Sequence, residues 1–240
     1  MKRISMFLAL GLAGLAFEVL NLCITPSPQD MVIGGEKREA APDDAKVKGK
    51  ADNYYILVLA AQGDPPTPRL SHTFACFVKA GSGADDRKIL ETISISWLPK
   101  SLNVVVARLL PEAGANLELL PTLKWARGLE IGVSAWGPYG IKKELYDRAA
   151  KQKTRLASGA VRYKALDLKI LLNREEHSNC IHAVSDIVGD ESLATGIAYG
   201  DAASGMVVRH FEPWIINPKE THSWVSDGLD LKKQTIRFQK

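Results

Sequence analysis

Leu70-Ser71-His72-Thr73-Phe74-Ala75-Cys76-Phe77-Val78 is followed, across an interval rich in glycine and aspartate centred on Gly81-Ser82-Gly83-Ala84-Asp85, by Leu90-Glu91-Thr92-Ile93-Ser94-Ile95-Ser96-Trp97-Leu98. Two runs of β-branched and aromatic residues joined by turn formers read as a β-hairpin, with strands over Ser71–Lys79 and Leu90–Leu98. In the second run Ile93, Ile95 and Trp97 share one face and Thr92, Ser94 and Ser96 the other, which predicts one apolar face and one wet or functional face. In the first run His72 shares its face with Phe74, Cys76 and Val78. If the hairpin closes around Gly83-Ala84, His72 lies across from about Ser96, with Ser94 beside it. A one-residue slip would instead present the face of Glu91.

Around this hairpin the chain alternates strand and helix signals. Tyr54–Ala61 is a continuous apolar strand, and Gly63-Asp64-Pro65-Pro66-Thr67-Pro68 forces an irregular connection after it. Leu117–Trp125 either continues the sheet or makes a short helix, and Trp136-Gly137-Pro138-Tyr139-Gly140 reads as a turn. Leu145, Tyr146, Ala149, Ala150 and Leu156 recur at helical spacing, predicting a helix over Ile141–Ala157 that ends at Ser158-Gly159. Val161–Leu166 reads as a short strand. Helices are expected from Cys180 to about Val188 and over Tyr199–Val208, and the tail mixes loop with an edge strand. The expected class is α+β, an antiparallel sheet with helices packed on it.

The first residues carry a different signature. Lys2 and Arg3 precede an uncharged apolar run, Ile4–Phe17, of the length of a signal core and short for a membrane span. Residues 1–24 are therefore expected to be an export signal or an uncleaved anchor. Leu20-Asn21-Leu22-Cys23 is only a loose match to a lipoprotein box, because Leu22 is large. Residues 25–53 are polar and poor in large apolar groups, a composition that predicts a flexible linker before a domain over 54–240. This address predicts export to the periplasm or cell envelope, with membrane attachment through the N-terminus if residues 1–24 are kept as an anchor.

At 240 residues with a net charge of +4, the basic residues are interleaved with acids rather than gathered in blocks, which argues against a nucleic-acid partner. Three cysteines, Cys23, Cys76 and Cys180, make no disulfide framework, although a Cys76–Cys180 bridge is conceivable in an oxidising compartment. Gly-rich phosphate loops, G-x-S-x-G and H-E-x-x-H are absent from the sequence, and no cofactor is called for. His177, Cys180 and His182 give H-x2-C-x-H, which matches no common zinc pattern.

Chemistry points to Ser178-Asn179-Cys180-Ile181-His182-Ala183-Val184, where a polar loop gives way to an apolar helix start. Ser178 and Asn179 are N-cap types, so Cys180 is expected in the first turn. There, unpaired N–H groups and the helix dipole would lower a thiol's pKa and hold an oxyanion. His182 lies two residues on and points away from Cys180; it is expected to fix neighbouring loops or sit in a polar core contact. The general base is expected to be His72, with His210 in reserve and His177 and His222 less well placed. Ser96, then Ser94, then Glu91 are the candidates for orienting His72.

Asn179-Cys180-Ile181-His182 is similar to the Asn-Cys-x-His motif of the lecithin retinol acyltransferase-like group, the permuted branch of the NlpC-type, papain-like cysteine enzymes. His72 preceding Cys180 has the permuted order. The resemblance covers roughly residues 54–210, and its specific part is these few positions. It implies a permuted papain-like fold, a catalytic Cys180 with its base at His72, and thioester chemistry on amide or ester bonds. The chain departs from the pattern in lacking a second histidine or a clear Asn or Gln on the strand after His72. It also has Ile181 where an acidic residue is common. The function expected from residues and resemblance is an exported thiol hydrolase or acyltransferase acting on peptide or lipid amide or ester bonds. Its alternative is a non-catalytic envelope protein of the same fold, with Cys180 and His72 packed for structure.

Overall fold

The computed structural model describes residues 38–39, 53–82, 88–166, 177–189 and 193–239. The expected signal or anchor, Cys23, and most of the expected linker lie outside the described residues. Within that linker stretch, Arg38–Glu39 forms a short strand, β1. The next three strands are β2 (Asn53–Gln62), β3 (Ser71–Ser82) and β4 (Lys88–Ile95). With β7 (Gly132–Ile141) and β10 (Ile236–Phe238) they build a six-stranded sheet in the order β1-β4-β3-β2-β7-β10. Its pairings are antiparallel except β10 on β7.

Helices cover both faces of this sheet, which is why β2 reads as unbroken apolar sequence rather than an alternation. One core places Leu57, Leu59, Phe74 and Cys76 against α1 (Leu119–Gly128) and α5 (Ser223–Gly228). The other places Ile56, Val58, Ala75 and Phe77 against α2 (Lys143–Ala157), α3 (Cys180–Ser185) and α4 (Gly200–Phe211). Ser204 Oγ on α4 lies 3.0 Å from Thr73 Oγ1 and 3.3 Å from the Leu59 carbonyl, so α4 is pinned over β3 and β2. The wet face expected on the hairpin is therefore corrected: Ser94 and Ser96 are 2% and 0% exposed, because α1 closes over their side.

The strand expected over Leu90–Leu98 is in fact two. Pairing of β3 with β4 ends at Ala75↔Ile95, and after Ser96 the chain enters β5 (Trp97–Pro99). β5 belongs to a second, four-stranded sheet with β6 (Glu112–Asn116), β8 (Arg162–Tyr163) and β9 (His177–Ser178). Asn116 makes the break tolerable, its Oδ1 accepting from Ser96 N–H and its Nδ2 donating to Ser94 C=O, both at 2.8 Å. Gly114 is needed opposite, since a Cβ there would stand 2.0 Å from the Trp97 ring. The hairpin register also differs from expectation by two residues. Cys76 faces Ser94, which sets Phe74 rather than His72 level with Ser96, while the shared face is as expected.

Trp136–Gly140 is not a turn but the bulged middle of β7, where the register shifts between Ile56 and Val58 of β2. Gly137 takes φ +91°, and a Cβ on it would meet Ile56 O at 2.7 Å. The helix expected from Ile141 accordingly starts at Lys143, and the helix expected to begin at Tyr199 runs from Gly200 to Phe211. Leu117–Trp125 resolves towards helix, as α1.

Replacing Asn116 by alanine strands a buried N–H and a buried C=O at the Ser96 break. Each unpaired group costs about 1–3 kcal/mol. Urea unfolding of Asn116→Ala should show a lower midpoint at unchanged m-value; an unchanged midpoint would mean that this clamp contributes nothing to the break.

Candidate active site

Cys180 opens α3, a helix of six residues prolonged by a 3-10 turn over Asp186–Val188. Asn179 caps it as expected, Oδ1 accepting from His182 N–H at 2.8 Å. The far end is held from α2, where Gln152 Nε2 donates to Ala183 C=O at 2.9 Å and Arg148 Nη1 to Val188 C=O at 2.6 Å. So short a helix gains its position from these bonds and from packing rather than from its own propagation.

The Cys180 sulfur lies against three backbone N–H groups, those of Thr73, Ile181 and Cys180 itself. The Thr73 contact is reached because β3 has no β4 partner on residues 71–74, so its backbone edge is open there. The expected depression of the thiol pKa is corrected. Burial pushes the Cys180 thiol up, and the three N–H groups oppose that push without overcoming it. Cys76 is also free, in the opposite core, and burial drives its thiol to about 12; Ser94 is its partner across the hairpin. Ser94 is thus placed beside Cys76 rather than beside His72. Glu91 faces Lys79 across the hairpin.

His72 is 1% exposed, its ring stacked on Phe74 at 5.4 Å between centroids and met edge-on by Trp125 at 5.5 Å. Burial lowers its pKa to about 3, so the imidazole is neutral over the physiological range. Its Nε2 lies 2.9 Å from Ser96 Oγ, the orienting contact expected from the sequence. Ser96 Oγ is 2.8 Å from Thr122 Oγ1, which is 2.8 Å from Glu118 C=O. A hydroxyl carries one proton and a carbonyl only accepts. All three contacts receive a proton in one polarity alone: Nε2–H donates to Ser96, Ser96 to Thr122, and Thr122 to the Glu118 carbonyl. That polarity leaves the lone pair on Nδ1, which is buried without a hydrogen-bond partner.

Cys180 and His72 approach the same stretch of β3 from different sides. Cys180 packs with the core of α2, α3 and α4, whereas His72 lies with Phe74 and Trp125 in the other core. They meet β3 at adjacent residues, Cys180 through the Thr73 N–H, and no hydrogen bond joins the two side chains. His182 Nε2–H donates to Leu193 C=O at 3.1 Å, the loop-fixing role expected of it. His210 packs beside Phe211 on α4 and His222 against the Tyr55 ring. His177 is buried in β9. Among the described residues no group of three or more His, Cys, Asp or Glu side chains is gathered to hold a metal.

Cys180 lines a cavity of about 510 Å³ whose walls include Val104, Val106, Tyr163, Leu193 and Ile197, a predominantly apolar set. Tyr163 went unrecognised in the sequence. Its phenol is held well above its ordinary pKa by burial and by the neighbouring Cys180, so it stays a neutral O–H donor beside the thiol. Thr122 and Asn116 were also missed, since neither belongs to a motif and each acts only through a contact made by folding. No family model, no curated protein and no solved structure matches this chain.

The buried imidazole has a consequence for acid stability. Between about pH 6.5 and 3 the unfolded chain binds a proton on residue 72 that the folded chain refuses, so stability rises with pH across that window and falls as the solution is acidified through it. The contribution approaches about 1.4 kcal/mol per pH unit. Urea unfolding of wild type and His72→Gln across this range should show a shallower slope for the variant. Parallel slopes would mean that the imidazole takes up its proton in the fold.

Proposed function

We propose that the protein is a thiol hydrolase or acyltransferase in which Cys180 attacks the carbonyl carbon of an amide or ester and His72 carries the proton. The observation that carries this reading is the unpartnered lone pair of His72 Nδ1, set by the Ser96–Thr122–Glu118 chain one residue from the N–H that meets the Cys180 sulfur. The resemblance of Asn179-Cys180-Ile181-His182 to the permuted papain-like motif supports it, as does the order of His72 and Cys180.

In this mechanism Sγ bonds to the carbonyl carbon as the thiol proton passes to Nδ1, a transfer that requires substrate to draw together two side chains that rest on different sides of β3. The resulting oxyanion is stabilised by backbone N–H groups near Cys180 and by the neutral Tyr163 phenol. The imidazolium then gives its proton to the leaving amine or alkoxide, leaving an acyl thioester on Cys180. Water completes a hydrolysis, or an alcohol or amine completes a transfer. Ser96 is a positioning residue, holding Nε2–H so that Nδ1 stays the basic nitrogen. Export to the cell envelope belongs to the same proposal and rests on residues 1–24.

The second reading is a non-catalytic protein of the same architecture. It is favoured by the enclosure of His72 between Phe74 and Trp125 and by the upward shift of the Cys180 thiol. One experiment separates the two. On incubation with a p-nitrophenyl acyl ester, the full chain should release a burst of nitrophenol and gain an acyl group on the Cys180 peptide by mass spectrometry. Cys180→Ala should abolish the adduct, and His72→Gln should slow it by about 10²–10⁴-fold. With the free imidazole neutral down to about pH 3, the wild-type acylation rate should be level from weakly acidic to neutral pH. In His72→Gln it should instead climb with thiolate formation. No adduct at Cys180, or one indifferent to residue 72, would establish the second reading.

A further inference from the structure

A serine hydroxyl is an ambivalent partner for an imidazole. At 2.9 Å, Ser96 Oγ can accept from His72 Nε2–H or donate to a bare Nε2 with the same geometry, so this contact alone chooses no tautomer. The choice has to come from a group whose polarity is fixed. The Glu118 carbonyl, which can only accept, is such a group, and Thr122 connects it to Ser96.

The fold holds this connection at both ends. Ser96 N–H is taken by Asn116 Oδ1 at 2.8 Å and Ser96 C=O by Leu117 N–H at 2.9 Å, which leaves the hydroxyl as that residue's remaining polar group. Thr122 lies in the first turn of α1, where the Glu118 carbonyl receives both its N–H, at 2.9 Å, and its Oγ1, at 2.8 Å. The Glu118 side chain pairs with Lys153, so α2 steadies the residue that supplies the carbonyl. Ser96 and Thr122 are both fully buried, and solvent does not compete for their protons.

Few proton arrangements are open to such a chain. When Nε2–H donates to Ser96, Ser96 to Thr122 and Thr122 to the carbonyl, every contact holds one proton. In the reverse order, Thr122 Oγ1 and the carbonyl oxygen face each other at 2.8 Å with no proton between them. The imidazole proton then sits on Nδ1, which has no acceptor. A buried N–H without an acceptor is a rarer defect than a bare lone pair, and it carries the full desolvation penalty. Without the Thr122 hydroxyl the two directions become alike, because each leaves one proton unaccepted, on Ser96 Oγ or on Nδ1.

We infer that Thr122, acting through Ser96, is a positioning residue that sets the tautomer of His72. The lock is a property of the fold and holds whether or not Cys180 reacts. That it keeps Nδ1 basic for the thiol proton rests on the proposed function.

The test is nitrogen NMR of the full chain, labelled with 15N in its histidine rings, at neutral pH. Protonated and bare ring nitrogens resonate far apart, and His72→Gln identifies the residue-72 signals. Wild type should show a bare Nδ1 and a protonated Nε2. Thr122→Val keeps the side-chain shape and loses the hydroxyl. Its two residue-72 signals should draw towards each other as the tautomers mix, a change of about tenfold in their ratio for one lost hydrogen bond. Thr122→Ser keeps the hydroxyl, loses the methyl and should return the wild-type pattern. Acylation of Cys180 by the p-nitrophenyl ester reads the proposed function separately, and its rate in Thr122→Val should fall with the fraction of rings bare at Nδ1. No adduct in any chain would remove the enzyme reading and leave the ring signals to decide the lock. A wild-type ring protonated on Nδ1, a valine variant with the wild-type pattern, or a serine variant that behaves like valine would each overturn the inference.

Discussion

The early end of the β3–β4 ladder is the constraint from which the rest of the site follows. β4 stops opposite Ala75, and the chain is turned at Ser96 into a second sheet. Had pairing continued, the Thr73 N–H would face a strand and no sulfur could reach it. Instead Asn116 supplies the two hydrogen bonds that a continued path would have made locally, and the exposed edge of β3 is filled by the start of α3. The same turn carries Ser96 out of the regular pleat and brings its hydroxyl to His72 Nε2 on the diagonal. The seat of the Cys180 sulfur and the tether of the His72 imidazole are two products of one strand break.

Placing an imidazole between Phe74 and Trp125 is unfavourable for its charged form and acceptable for its neutral form, provided its polar atoms are matched. Ser96, Thr122 and the Glu118 carbonyl match one nitrogen completely and leave the other with nothing. A core histidine kept for packing is most stable when both nitrogens are satisfied. Burial acts on Cys180 in the complementary direction, so at rest the two groups are neutral thiol and neutral imidazole rather than an ion pair.

The hairpin, the apolar run of β2, the cap at Asn179 and the helix after Lys142 were legible in the sequence because each is a local pattern: alternation, composition, or a residue type at a boundary. The His72–Ser96 pairing was legible from the shared face alone, even though the register was two residues off, because period-two alternation preserves faces under a two-residue shift. What stayed hidden depends on non-local closure. Nothing in Trp97 or Asn116 announces a change of sheet, Gly137-Pro138 looks like a turn until a bulge absorbs it, and Tyr163 acquires meaning only against Cys180. The thiol pKa was misjudged because a capped helix start suggested a dipole, while the real helix is six residues long and sits in a low-dielectric seat.

Under the proposed function, the desolvation that keeps Cys180 and His72 neutral also dictates when proton transfer can occur. An ion pair formed ahead of substrate would have to exist in the surroundings that already raise the one pKa and lower the other. In the proposed mechanism, transfer is therefore favoured only as the carbonyl carbon accepts the sulfur, when negative charge moves off Sγ and onto an oxygen within reach of N–H and phenol donors. The same low-dielectric surroundings run from the buried imidazole to the largely apolar walls of the cavity that Cys180 lines.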